Sequence, residues 1–208
     1  MFNPNIKAAP TQYDGYHFES KLEAKWAAFF NGMKIKYEYE PDNIVLKSGQ
    51  YYAPDFWLED FKVLVEVKPD GYNGAATYNE TVFKISAGMC TNDWAGLLIL
   101  GDPTKYKATL FCQVIDGNGP RAYRGDSVIF GLDPIFVKPT LFIESDSEFR
   151  RFYATTKGGK TPIRAITSQR CSKAEVLPKI VMDIISETRS AKFNYGQSPN
   201  MDIMPEWW

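Results

Sequence analysis

The sequence predicts an α/β protein whose sheet is assembled in the first half of the chain, and three observations carry that expectation. An amphipathic helix pattern opens near Phe18, strand-like runs follow it up to Lys68, and a wholly apolar run from Ala95 to Leu100 follows a second helix pattern. A short apolar run entered from a helix has the pattern of a buried strand in a parallel pair. With 208 residues the chain suffices for one substantial core and is short for two. One domain over residues 1–195 is therefore expected, with a core at about 18–115, a β-rich extension at about 116–195 and a tail at 196–208.

Residues 1 to about 14 carry little pattern and read as an arm or cover. Phe18, Leu22, Trp26, Phe29, Phe30 and Met33 then recur at helical spacing. Ser20-Lys21-Leu22-Glu23 fits a capping box, so this helix is expected from near Ser20 to Asn31-Gly32. A strand is expected from Ile35 to Glu40, and a hairpin through Ser48-Gly49. Pro69-Asp70-Gly71 ends the central strands, and Thr77-Tyr78-Asn79-Glu80 opens a second helix to about Met89. Beyond Gly101 the pattern thins. Strands are expected at Ala108 to Ile115, Ser127 to Phe130 and Thr140 to Glu144, as an extension of the sheet or a small lobe against it. Ser172 to Glu175 caps a closing helix with Val176, Ile180, Val181, Ile184 and Ile185 inward, where Pro178 is awkward unless the helix starts just before it.

The central stretch is Tyr51-Tyr52-Ala53-Pro54-Asp55-Phe56-Trp57-Leu58, followed by Val63-Leu64-Val65-Glu66-Val67-Lys68. Both runs read as strands from their aromatic and β-branched content, with Pro54 as the objection. If the chain reverses at Asp60-Phe61, Leu58 lies opposite Val63 and Phe56 opposite Val65, on one apolar face. Asp55 then falls opposite Glu66, and Lys68 projects onto the same face as Glu66. Like charges directly opposite one another are destabilising. Such a site calls for a positive partner, and a divalent cation with oxygen ligands answers the requirement.

Composition excludes several classes. No run of about 18 apolar residues and no signal-peptide pattern is present, so a cytoplasmic protein without membrane contact is expected. Cys90, Cys112 and Cys171 form neither a disulfide framework nor a zinc knuckle. His17 is the only histidine, which argues strongly against a histidine-based metal site or nuclease mechanism and leaves a Ser-His-Asp device a single base. The formal net charge of −1 means that any nucleic-acid site is a local basic patch, with metal ions offsetting the acidic cluster.

Pro54-Asp55 followed by Glu66-Val67-Lys68 resembles the PD-(D/E)XK nuclease superfamily, the restriction-endonuclease-like fold. The element order of helix, three strands, helix and strand between Phe18 and Gly101 is similar to the core of that superfamily. The resemblance implies a mixed sheet flanked by helices and a Mg²⁺-dependent phosphodiesterase, with Mn²⁺ as a substitute. On that reading Asp55 and Glu66 hold the metal, while Lys68 orients the attacking water or stabilises the transition state. The opening Phe18 to Phe30, followed by Tyr37-Glu38-Tyr39-Glu40-Pro41, looks like that of end-cleaving transposon nucleases and very-short-patch repair endonucleases. There a helix Glu within a Ser/Thr-x-x-Glu pattern points at the metal. Glu23 takes that role by resemblance; its plainer role is the capping carboxylate, and Glu19 is its rival. The resemblance also implies nucleic acid, most simply DNA, as the partner, in the manner of phage and mobile-element enzymes.

Other residues keep two readings. Thr156-Lys157-Gly158-Gly159-Lys160-Thr161 imitates a phosphate-binding loop, but Ala154 stands where its first glycine belongs, so a flexible basic loop is expected. Lys157, Lys160 and Arg164, with Arg170 and Lys173, are candidates for phosphate contact or simply solvated surface. Lys84 is placed by resemblance near the nucleic acid, against an ordinary exposed lysine. The tail ending Met204-Pro205-Glu206-Trp207-Trp208 is expected to dock on this chain or on a second copy. The rival function is a non-catalytic module that keeps the fold to bind DNA or a protein partner, in phage assembly or counter-defence.

Overall fold

A computed structural model describes residues 9–46, 48–91, 95–105, 107–116, 119–145, 148–153, 164–191 and 193. The chain opens on a hairpin of β1 (Thr11–Tyr13) and β2 (Tyr16–Phe18). Its turn, Asp14-Gly15, has φ of 51° and 81°, the positive values that an Asp-Gly hairpin turn requires. The part of the expected arm from Thr11 onward is therefore regular structure.

Helix α1 (Lys21–Gly32) starts after the N-cap Ser20, whose side chain accepts the Glu23 N–H. Both ends fall where the capping and apolar spacing place them. Next come β3 (Glu38–Tyr39), much shorter than the expected Ile35–Glu40 strand, then β4 (Ile44–Val45) and β5 (Tyr51–Tyr52), paired with each other across Gly49. The expected continuous strand from Tyr51 to Leu58 is broken. Ala53-Pro54 separates β5 from β6 (Phe56–Leu58), and the two belong to different sheets. Proline donates no ladder hydrogen bond, which is the physical reason for the break.

A 3-10 turn at Glu59–Phe61, closed by Lys62 at φ 53°, leads into β7 (Val63–Lys68). Phe56 pairs with Val65 and Leu58 with Val63, as the hydrophobic pattern requires. Helix α2 (Tyr78–Thr91) crosses to β8 (Ala95–Leu100), which pairs parallel to β7. A meander then follows: β9 (Lys107–Asp116), β10 (Gly119–Leu132), β11 (Pro139–Ser145), β12 (Glu148–Tyr153) and β13 (Arg164–Cys171). These strands extend the same sheet, whose order is β13-β12-β11-β10-β9-β8-β7-β6-β3. Only the β7–β8 contact is parallel among its described pairs. The last described elements are α3 (Lys173–Val176), with a full Ser172–Glu175 capping box, and α4 (Lys179–Ser190). Pro178 is the N-cap of α4, so the expected closing helix is two helices.

The two faces of the sheet are covered differently. Val63, Val65, Val67, Leu97 and Ile99 pack with Trp26, Phe29 and Phe30 of α1 and with Val181, Ile184 and Ile185 of α4. Leu64 and Leu98 point the other way and pack with Ile85 of α2 and with Ile44, Leu46 and Tyr52 of the β4–β5 hairpin. The strand period of two thus sorts β7 and β8 between two cores. A Cβ added at Gly32 would lie 2.7 Å from Ile184 Cγ2, so glycine sets the approach of α1 to α4. Trp26 Nε1 donates to the Gly101 carbonyl at 2.9 Å, fastening α1 to the end of β8. Among the described residues no helix is long and apolar enough to cross a membrane.

Candidate functional site

Glu66 and Lys68 lie on the α2 face of β7, because they share parity with Leu64. Asp55 sits at the residue before β6, where the ladder with β7 stops. Its side chain continues the ladder: Val67 N–H donates to Asp55 Oδ2 at 2.6 Å. The Asp55 carbonyl meanwhile accepts the Glu40 N–H at 3.0 Å. Pro54 ends the regular strand and these two bonds fix the aspartate at its broken end.

Lys68 joins the two carboxylates. Its Nζ lies 2.5 Å from Glu66 Oε1 and 3.9 Å from Asp55 Oδ2. The second Glu66 oxygen accepts a bond from Tyr52 Oη at 3.1 Å. Burial and the Glu66 charge drive the Asp55 pKa up to about 8, against the lowering effects of Lys68 and the Val67 N–H; Glu23 raises it further. For Lys68, burial works against the charge, and the Asp55 and Glu66 carboxylates outweigh it, so its pKa rises. The Tyr52 hydroxyl is held protonated by its burial and by Glu66 and Asp55. The expected opposition of Asp55 and Glu66 is thus present as a charge interaction, reached through a side-chain bond rather than a continuous ladder.

Glu23 is 8 % exposed. Its Oε1 accepts from Ser20 Oγ at 2.5 Å and its Oε2 from Tyr39 Oη at 2.7 Å. It faces Asp55 closely enough to raise that residue's pKa, while its own oxygens are engaged at the start of α1. Glu19, the rival for that role, precedes the N-cap and is exposed; its N–H donates to Tyr39 Oη at 2.9 Å.

A cavity of about 270 Å³ opens beside Glu66, lined by Tyr51, Tyr52, Ala53, Thr81 and Lys84. Lys84 therefore faces the candidate site from α2, and it pairs with Glu80 one turn earlier at 2.7 Å. Arg164 begins β13, six strands from β7 in the sheet order, or about 25–30 Å at the usual strand spacing. Lys157, Lys160 and the 204–208 tail lie outside the described residues. Tyr52 and Tyr39, which hold the two glutamates, escaped the motif reading. Their signal was the cluster of tyrosines ahead of Pro54-Asp55, of which Tyr39 and Tyr52 are buried.

The donor set suits a hard cation. Asp55 and Glu66 offer carboxylate oxygens, the ligands that Mg²⁺ and Mn²⁺ prefer. Among the described residues no group of three His, Cys, Asp or Glu side chains could hold a metal ion together. A two-carboxylate set fits Mg²⁺ better than Ca²⁺, because Mg²⁺ keeps several waters and takes one or two carboxylates plus substrate phosphate. No protein-family model and no curated protein matches the chain.

Proposed function

We propose that this chain is a metal-dependent nuclease with a restriction-endonuclease-like core, acting on DNA. The observation that carries the reading is the placement of Asp55 and Glu66 on neighbouring chain segments with Lys68 between them, and Asp55 driven up to about 8. Burial combined with a specific charge partner is the kind of environment by which functional sites shift the pKa of their groups.

Asp55 and Glu66 would hold Mg²⁺, and Glu23 would adjust the charge around it from α1. The ion would supply Lewis-acid polarisation and a more acidic water, which phosphodiester hydrolysis lacks at neutral pH. Lys68 has only donors and binds no cation. Its ammonium serves where negative charge gathers on the phosphate, in a site already organised to receive it. Val67 N–H holds Asp55 in position, and Tyr52 holds Glu66.

One observation favours a second reading. Lys68 already pairs with Glu66 at 2.5 Å and lies 3.9 Å from Asp55, so the set could stand as a structural ion cluster in a DNA- or protein-binding module. Single-turnover assays on single-stranded, duplex and branched DNA separate the two. A nuclease requires Mg²⁺- or Mn²⁺-dependent cleavage by wild type, reduced roughly a hundredfold in Lys68→Ala, a loss of the size seen when one preorganised donor is removed. It also requires that Lys68→Ala still bind Mn²⁺. Absence of cleavage by wild type on every substrate favours the module.

A further inference from the structure

The β4–β5 hairpin stands apart from the main sheet and leans on its α2 face. Ile44, Leu46 and Tyr52 are buried against Leu64, Leu98 and Ile85, which clamps the hairpin in one position. Alternation then turns the neighbouring residues outward. Val45 and Tyr51, partners in the β4–β5 register, are 56 % and 70 % exposed. Tyr51 is thus a large aromatic ring held in water by a rigid support, at the rim of the cavity that Glu66 lines. Across the same cavity stand Thr81 and Lys84 on α2. The Lys84–Glu80 pair spans one helix turn, with Glu80 exposed and Lys84 half-buried, and such i, i+4 pairs are weak enough to yield to a phosphate.

An exposed aromatic face and a cation around one small cavity match the base and the phosphate of one nucleotide, while Thr81, whose hydroxyl is bonded to Tyr72 Oη at 2.8 Å, forms part of the wall. At about 270 Å³ the cavity has room for a single such unit. Aromatic stacking requires an open base face, which a continuous duplex hides within its own stack. We infer that Tyr51, Thr81 and Lys84 form a subsite for an unpaired nucleotide of DNA next to the phosphate at Glu66. Single-stranded or frayed DNA is then the preferred substrate. Tyr51 stacks on the base and Lys84 contacts a phosphate. This inference deepens the nuclease reading and rests on it for the phosphate at Glu66, but not for the stacking itself.

The test is equilibrium binding in EDTA, where no cleavage occurs, using a single-stranded oligonucleotide with one 2-aminopurine and the same oligonucleotide in perfect duplex. Wild type is expected to bind the single strand at least about tenfold more tightly than the duplex and to quench the 2-aminopurine. Tyr51→Ala should lose roughly tenfold in single-strand affinity, together with the quenching, as removal of one stacking platform requires. Tyr51→Phe keeps the ring and should retain both. Lys84→Ala should weaken single-strand binding and flatten its salt dependence by about one phosphate contact. Equal affinity for the two forms in wild type, no binding of either, or unchanged single-strand binding in Tyr51→Ala overturns the subsite. The two readings fail separately. Metal-dependent cleavage without a Tyr51-dependent strand preference refutes the subsite alone, whereas Tyr51-dependent binding with no cleavage under any metal refutes the nuclease alone.

Discussion

The carboxylate of Asp55 takes the place of a missing strand residue opposite Val67, accepting its N–H at 2.6 Å. A backbone donor that would otherwise be left at the broken end of the β6–β7 ladder is satisfied by an acidic side chain. The same bond brings that side chain into the field of Glu66 and Lys68. Structural and chemical demands thus meet in one residue, and several consequences can be measured.

The pH dependence of metal-free stability follows from the Asp55 shift. Its folded pKa, about 8, lies above the unfolded value of about 3.9. The folded state therefore holds a proton that the unfolded chain releases in between. The associated stability is fully present below about pH 4 and is lost as pH rises through about 8. In EDTA, Asp55→Asn should remove this decline, so that its melting temperature gains on wild type as the pH increases. Parallel curves for the two proteins would place the proton elsewhere. By the same linkage, Mn²⁺ must displace that proton, and its affinity should rise with pH up to about 8.

Variants of Glu23 distinguish a helix cap from a participant in the proposed metal site. Glu23→Gln keeps an acceptor oxygen for one of the Ser20 and Tyr39 hydroxyls that bond it and turns an amide N–H toward the other, while removing the charge that Asp55 experiences. Folding should survive, the Asp55 pKa should fall, and Mn²⁺ binding should weaken. A variant with wild-type Mn²⁺ affinity would confine Glu23 to capping.

Gly32→Ala tests the α1–α4 contact. The new methyl meets Ile184 Cγ2 at 2.7 Å, and overpacking of this kind costs about 1–3 kcal/mol. Ile184→Ala removes the obstructing atom, so the double variant should be more stable than the sum of the single effects predicts. Denaturant unfolding of the four proteins in the cycle measures the coupling. Simple additivity would mean that the helices separate to admit the methyl.

Much of this architecture was legible because local signals agreed with the tertiary outcome. Ser20 and the apolar spacing marked α1, and the uniform apolarity of Ala95–Leu100 marked a strand buried on both faces. The Phe56–Val65 register followed from keeping one face apolar. Where tertiary pairing decides, the sequence was less informative. Glu148-Phe149-Arg150-Arg151-Phe152-Tyr153 interrupts any alternation with charge, and becomes β12 through its ladder to β11. Arg164 to Cys171, of which only Arg164 and Arg170 were read, as candidates for phosphate contact, is the last described strand. The Asp14-Gly15 turn was a usable signal that lay inside an otherwise patternless stretch. Within the site, spacing brought out Asp55, Glu66 and Lys68. The tyrosine hydroxyls that hold Glu66 and Glu23 come from residues 14 and 16 positions away, beyond the reach of a motif.

The most direct test of the carboxylate pair as a metal site is the Mn²⁺-induced change in melting temperature of wild type and Asp55→Ala. A cation that binds only the folded state stabilises it by mass action. Wild type should therefore melt at a higher temperature as Mn²⁺ is added. Asp55→Ala, folded in EDTA and relieved of carboxylate repulsion, should show no such increment. Identical responses of the two proteins would contradict the assignment of Asp55 and Glu66 as metal ligands.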